Sequence, residues 1–247
     1  MVIGFWVLLV FLLVYEPIIG YFDFQKFLKK VVIDDGARVR YYVNSIIGLW
    51  MPTLFILLLI LFTDLTMGQI GLSIPNINTE LLGPWVTYVG LGLGSLSLLF
   101  ILYYILGYHF SEKMKKQLTD KKTKEWENSS ISVMLPVSKK EKKLWNYVSL
   151  TAGITEEIIY RGFLIYALTY LFPELSIWVV IVVASLIFGL AHTYQGFIVG
   201  VTRTAIVGVI FSILYIGLDS ILPLILLHFL LDYIVKLGDE NKQAQDS

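Results

Sequence analysis

The sequence predicts an all-helical membrane protein, a bundle of about seven transmembrane helices. The chain has 247 residues, of which 57% are apolar and only 15% are charged, and its mean hydropathy is +0.74. Soluble domains usually carry about 25% charged residues, so a soluble protein of this composition would expose apolar surface everywhere. Lipid suits such a chain, because a helix satisfies its backbone hydrogen bonds internally.

Seven segments are apolar and long enough, or nearly so, to cross a bilayer, since a helical span needs roughly 20 mainly apolar residues. The sixth is short, and it either tilts or merges with the neighbouring apolar run 196–201. In chain order the predicted spans are 2–22, 42–62, 84–108, 144–171, 177–194, 204–217 and 221–237.

Lys and Arg are concentrated in alternate loops between these spans. Residues 22–40 contain five of them and residues 110–143 contain ten, whereas the loop 63–83 contains none. Cytoplasmic loops carry the excess of positive charge. We therefore expect the N-terminus outside and the C-terminus in the cytoplasm.

The basic loop also divides the chain. The first three spans, within 1–110, show no polar cluster, and the segment 111–143 is predicted to be a charged cytoplasmic loop. Every unusual ionisable residue lies in a predicted four-helix membrane core, 144–238, which a cytoplasmic tail follows at 239–247. We expect a multi-pass integral protein, and the short chain with minimal loops suggests a bacterial cell membrane.

Composition excludes several classes of site. The chain has no Cys, which rules out disulfides, thiolate metal ligands and a Cys nucleophile. It also lacks a basic stripe with interleaved aromatic residues, so we expect no nucleic acid binding. The expected environment is the lipid bilayer.

The first candidate cluster is Thr155-Glu156-Glu157, followed by Arg161. On a helix Glu157 and Arg161 lie one turn apart, in the favoured order for pairing. Glu156 lies about 100° around the helix and has no partner in its own segment, so it can accept a proton as a general base. Thr155 is a candidate N-cap residue for a helix beginning here. The alternative is an ion pair that only locks helices together.

Two further clusters place a histidine on a membrane helix. Phe188 and His192 share a helix face, as do His228 and Asp232. If Glu156, His192 and His228 converge, they can activate water as a base with hydrogen-bonding partners. They can alternatively bind a divalent metal such as zinc, although no helix carries a His-Glu-x-x-His run.

These three clusters resemble the signatures of the CAAX-protease and bacteriocin-processing family of intramembrane proteases, also called the Abi family. The family pattern is Glu-Glu-x-x-x-Arg, then Phe-x-x-x-His, then His-x-x-x-Asn or Asp. All three motifs occur in this order within residues 145–235. The matching residues are Glu156, Glu157, Arg161, Phe188, His192, His228 and Asp232.

The resemblance implies an endopeptidase that hydrolyses peptide bonds of membrane-associated peptides or proteins. Glu156 would be the base that activates water and His192 would help to hold that water, while His228 and Asp232 would steady the oxyanion. Glu157, Arg161 and Phe188 would be the supporting residues.

Three points stay open at this stage. An ionised Asp232 cannot donate to an oxyanion as an Asn could, so it is either protonated or orients His228. The family is often labelled metalloprotease, yet a metal-free glutamate mechanism is also tenable. Relatives process prenylated Cys-a-a-X proteins, mature peptides or confer bacteriocin immunity, and the sequence does not choose among these substrates.

Two other functions compete with proteolysis. A non-catalytic immunity or scaffold protein could use the same fold, and it would keep its function after Glu156→Ala. A small transporter would also place polar residues at mid-membrane, but the chain shows no internal repeat.

Overall fold

The computed structural model describes residues 1–126 and 130–238. Within these ranges the chain forms helices and connecting turns with no strand, which confirms the all-α prediction. Length and composition allow four helices to cross a membrane, namely Val2–Lys30, Ala37–Phe62, Gly83–Phe110 and Gly200–Leu218, and two shorter apolar helices are Ile177–Leu190 and Leu222–Val235. The polytopic helical class is therefore confirmed, while the count of seven crossings and the orientation stay predictions.

Every predicted span contains a helix. The α-helices are α1 Val2–Val14, α2 Tyr21–Lys30, α3 Ala37–Phe62, α4 Gly83–Phe110, α5 Glu112–Trp126, α6 Lys139–Glu156, α7 Ile165–Leu171, α8 Ile177–Leu190, α9 Arg203–Leu218 and α10 Leu222–Val235. Three π-helical segments in the described ranges join or extend them: Tyr15–Gly20, Glu157–Leu164 and Phe197–Thr202. Such π-bulges are frequent at functional sites.

The sixth predicted span merges with the run that precedes it, since a π-helical segment beginning at Phe197 continues directly into α9. The predicted loop 111–143 contains the helix α5. The predicted tail 239–247 lies outside the described residues. The division of the chain into domains stays a prediction.

The helix that carries the first motif begins well before that motif. Ser138 Oγ accepts from the Glu141 backbone N–H and the Glu141 carboxylate accepts from the Ser138 N–H, which forms a capping box. The prediction that Thr155 caps a helix was wrong, because the helix runs without a break through residues 139–171. The Thr155 hydroxyl instead donates to the carbonyl of Thr151, at 2.7 Å, as hydroxyl side chains inside helices often do.

A glycine allows α6 and α10 to approach closely. A Cβ at Gly153 would lie 3.0 Å from the carbonyl oxygen of Ile225 and 3.1 Å from the backbone nitrogen of Phe229. Small residues permit such contacts between membrane helices. The contact places the third motif, on α10, beside the first.

The connection between α3 and α4 folds back against the bundle. The Gly71 carbonyl accepts from the Ile221 N–H at 2.9 Å, next to the start of α10. A Cβ at Gly162 would lie only 2.4 Å from the Ile70 carbonyl oxygen. The glycine that follows Arg161 therefore lets this connection pack directly on the π-helical segment of the first motif.

Candidate active site

Glu157 links the first motif to the third. Its Oε1 accepts from Arg161 Nη1 at 3.0 Å and from His228 Nδ1 at 2.7 Å. The side chains of Glu157 and Arg161 are 0% and 1% exposed, so this ion pair is fully withdrawn from solvent. The predicted pairing of Glu157 with Arg161 is confirmed, and His228 is its third member.

Two aromatic rings contact the Arg161 guanidinium. Its central carbon lies 4.1 Å from the Phe188 ring centroid and 5.1 Å from that of Phe211, which are cation–π distances. Phe188 therefore connects the second motif to the first. Phe211 was missed by the sequence reasoning, because one aromatic residue in an apolar span carries no distinguishing signal.

Glu156 is arranged differently from its neighbour. Its Oε2 lies 3.8 Å from His228 Nε2, which is too long for a direct hydrogen bond. This oxygen is buried and has no hydrogen-bond partner among the residues that the structure describes. Asp232 Oδ2 lies 3.9 Å from the same ring nitrogen. His228 Nε2 thus lies near two carboxylates without a direct hydrogen bond to either. A water molecule beside either pair can bridge the ring nitrogen and the carboxylate oxygen.

His192 has one ring nitrogen engaged and one available. Its Nδ1 lies 3.0 Å from the Phe188 carbonyl oxygen. Because a carbonyl only accepts, Nδ1 carries a proton, and in the neutral form of the ring Nε2 is then an acceptor. The ring contacts Phe188 edge-on at 4.9 Å and stacks with Tyr194 at 5.8 Å, which fixes its orientation.

Glu156 and His192 line one cavity of about 540 Å³. Its walls also include Tyr160 and, from the N-terminal part of the chain, Glu16. The sequence analysis found no polar cluster in the first three spans and gave Glu16 no role, yet Glu16 lines this cavity. A single carboxylate in an apolar run forms no cluster, and its only signal was an ionisable residue inside a span.

The described ranges contain no group of three or more His, Cys, Asp or Glu side chains that could hold a metal ion. The suggestion that Glu156, His192 and His228 bind a metal gains no support from this geometry and stays a prediction.

The comparisons with known proteins agree with the motifs. Residues 142–234 match the model of a family described as type II CAAX prenyl endopeptidase, Rce1-like. No curated protein and no solved structure matches the chain. The matched segment contains all three motifs and begins after α1 to α5. Residues 142–234 are therefore similar to the Rce1-like family, and this match confirms the predicted resemblance to the CAAX-protease and bacteriocin-processing family over that segment.

Proposed function

We propose that the protein is an intramembrane endopeptidase in which Glu156 is the general base. The observation that supports this most strongly is the contrast between two adjacent glutamates. Glu157 Oε1 is occupied by Arg161 and His228, whereas Glu156 Oε2 has no hydrogen-bond partner within the described ranges and Glu156 lines the cavity. One carboxylate maintains the structure and the other is available for chemistry.

Glu156 and His192 can hold a water molecule between them. Both present acceptors to the cavity, so a water that donates one hydrogen to each keeps a lone pair for a substrate carbonyl. Glu156 takes one proton as the water oxygen bonds to the carbonyl carbon, and the carbonyl electrons move onto its oxygen. Glu156 then gives the proton to the amide nitrogen as the carbon–nitrogen bond breaks.

His228 is the candidate donor to the oxyanion. Its Nδ1–H is held by Glu157 at 2.7 Å, which orients the ring and leaves Nε2 toward Glu156. In this proposal the ring carries both protons, because only then does Nε2 donate to the oxyanion. Asp232, 3.9 Å from Nε2, acts through His228 as a positioning residue, since an ionised carboxylate cannot itself donate.

The substrate is a membrane-associated peptide or protein, as the family implies. The cavity volume of about 540 Å³ lies within the usual range for ligand pockets, roughly 300–1,000 Å³. A prenylated Cys-a-a-X peptide and a bacteriocin leader are the two substrate types to compare, and a bacterial cell membrane is the proposed location.

The test is cleavage by purified protein in liposomes, with both peptide types as substrates and mass spectrometry to locate the cut. Glu156→Gln should lower the rate by about 10²–10⁴-fold, the usual contribution of a general base. Glu80→Gln, an exposed acidic residue in the connection between α3 and α4, is the matched control and should cleave like the wild type. A chelator should leave cleavage intact.

Equal cleavage by wild type and Glu156→Gln would contradict the proposal. Loss of cleavage on chelation, restored by zinc, would refute the metal-free part alone. If no peptide is cut and Glu156→Gln has the same effect in cells as the wild-type protein, the non-catalytic immunity or scaffold function would replace proteolysis.

A further inference from the structure

A carboxylate from outside the family-matched segment lies in the active-site cavity. Glu16 belongs to the π-helical segment Tyr15–Gly20 and lines the cavity together with Glu156 and His192. Glu16 and Glu156 thus each bring a carboxyl group to the lining of one cavity. The two residues come from different helices, so carboxyl groups lie on two walls of the cavity.

The wall that carries Glu16 is tied to the segment that follows His192. The Pro17 carbonyl accepts from the Thr193 hydroxyl at 2.9 Å. The rings of Phe24 and Tyr194 are in contact, with centroids 5.3 Å apart. One contact is made within the π-helical segment and the other in α2, which follows it, so the fold fixes the position of Glu16 relative to His192.

Glu16 has no cationic partner within residues 1–126 and 130–238. The basic residues Lys26 and Arg40, which line the same cavity, form ion pairs with Asp23 and Asp34. An unpaired carboxylate in a membrane helix is costly, so such a residue is expected to have a function. A cation that enters with the substrate would supply the missing counter-charge.

We propose that Glu16 binds the cationic side chain of a Lys or Arg residue next to the peptide bond that Glu156 hydrolyses. This inference rests on the proposed protease function and names a specificity residue for it. The bound ammonium or guanidinium would donate charge-assisted hydrogen bonds to the Glu16 carboxylate, and an acidic substrate residue at the same place would be repelled by both glutamates.

The same cavity is also lined by Lys26, Lys30 and Arg40. Lys26 and Arg40 are paired with acidic residues, whereas Lys30 would repel a second basic residue of the substrate. The structure therefore assigns one basic position beside the cleaved bond rather than a general preference for basic peptides.

The experiment uses a membrane-anchored peptide library in which the two residues on each side of the cleaved bond are varied. The readout is the ratio of kcat/KM for matched peptides that carry Lys or its neutral analogue norleucine. We expect the wild type to favour Lys or Arg by about 10- to 100-fold, the usual effect of a hydrogen bond to a charged group, and mostly through KM.

Glu16→Gln should bring this ratio close to one, and Glu16→Lys should make Glu the preferred residue. Glu80→Gln is the matched control and should keep the wild-type ratio. If Glu16→Gln does not fold, two measurements still test the inference. They are the Lys-to-norleucine ratio of kcat/KM for the wild type and the same ratio for Glu16→Asp, which keeps the carboxylate on a shorter side chain.

Cleavage by the wild type with no preference for Lys or Arg would overturn this inference and leave the protease function standing. A preference that Glu16→Gln retains would also overturn it, as would a requirement for a free amino terminus in place of a basic side chain. Failure of the wild type to cut any library peptide would count against the protease function itself.

Discussion

Replacing Glu157 with Gln removes the negative charge that holds both Arg161 and His228. The Arg161 side chain is 1% exposed, so water cannot replace the lost partner. Its Nη2 already lacks a hydrogen bond to any described residue. The substitution therefore leaves a buried cation supported only by a neutral amide and by the rings of Phe188 and Phe211.

Removing one partner of a buried ion pair costs about 3–5 kcal/mol. The amide oxygen of Gln can still accept from Arg161 and the cation–π contacts remain, so we expect the lower end, about 3 kcal/mol. A change of 1 kcal/mol shifts Tm by about 2–4 °C in a protein of this size. Glu157→Gln should thus lower Tm by about 6–12 °C.

Thermal unfolding of the purified protein in detergent, followed by circular dichroism, measures this shift. Glu156→Gln is the matched control, because it removes an adjacent carboxylate that has no hydrogen-bond partner in the described structure. We expect its Tm to equal or exceed that of the wild type. Equal losses of Tm in the two variants, or a larger loss in Glu156→Gln, would refute the assignment of structural and catalytic roles to these glutamates.

Two other substitutions test separate parts of the structure. Gly162→Ala should lower Tm by several degrees, because the added Cβ would lie 2.4 Å from the Ile70 carbonyl oxygen. Gly92→Ala is the control and should leave Tm unchanged, since a Cβ there would meet nothing within 4 Å. Equal Tm values for the two variants would contradict the packing of the α3–α4 connection on Gly162. Asp232→Asn should keep the cleavage rate within about 10-fold of wild type, whereas Asp232→Ala should lower it about 100-fold because His228 is misplaced. Equal losses of rate in steady-state assays would show instead that the charge of Asp232 is needed.

Hydropathy and helical spacing predicted the fold class and the pairings within one helix. The apolar segments indicated helices at the observed places, and the spacing of four residues between Glu157 and Arg161 indicated their ion pair. Such predictions succeed because they depend on local geometry, in which residues four apart share a helix face.

Contacts between helices were less accessible from the sequence. Spacing suggested Asp232 as the partner of His228, but the hydrogen bond is made to Glu157, and Asp232 lies 3.9 Å away. The distance between α6 and α10 at Gly153 decides which side chains meet across the interface. That distance cannot be predicted from a single sequence.

Glu16 was missed for a related reason. It has no ionisable neighbour at helical spacing, and only the tertiary fold brings it to the same cavity as Glu156. The π-helical segments gave no signal either, because periodicity assumes 3.6 residues per turn throughout a helix.

The most direct test of the central claim is a single-turnover cleavage in water enriched in oxygen-18, with enzyme in excess over a peptide that the wild type cuts. If Glu156 is a general base, the new peptide carboxylate should contain one oxygen-18 atom from the first turnover, Glu156 should contain none, and Glu156→Gln should yield no product on the same timescale. Oxygen-18 in the Glu156 carboxylate, or equal product formation by Glu156→Gln, would contradict the account.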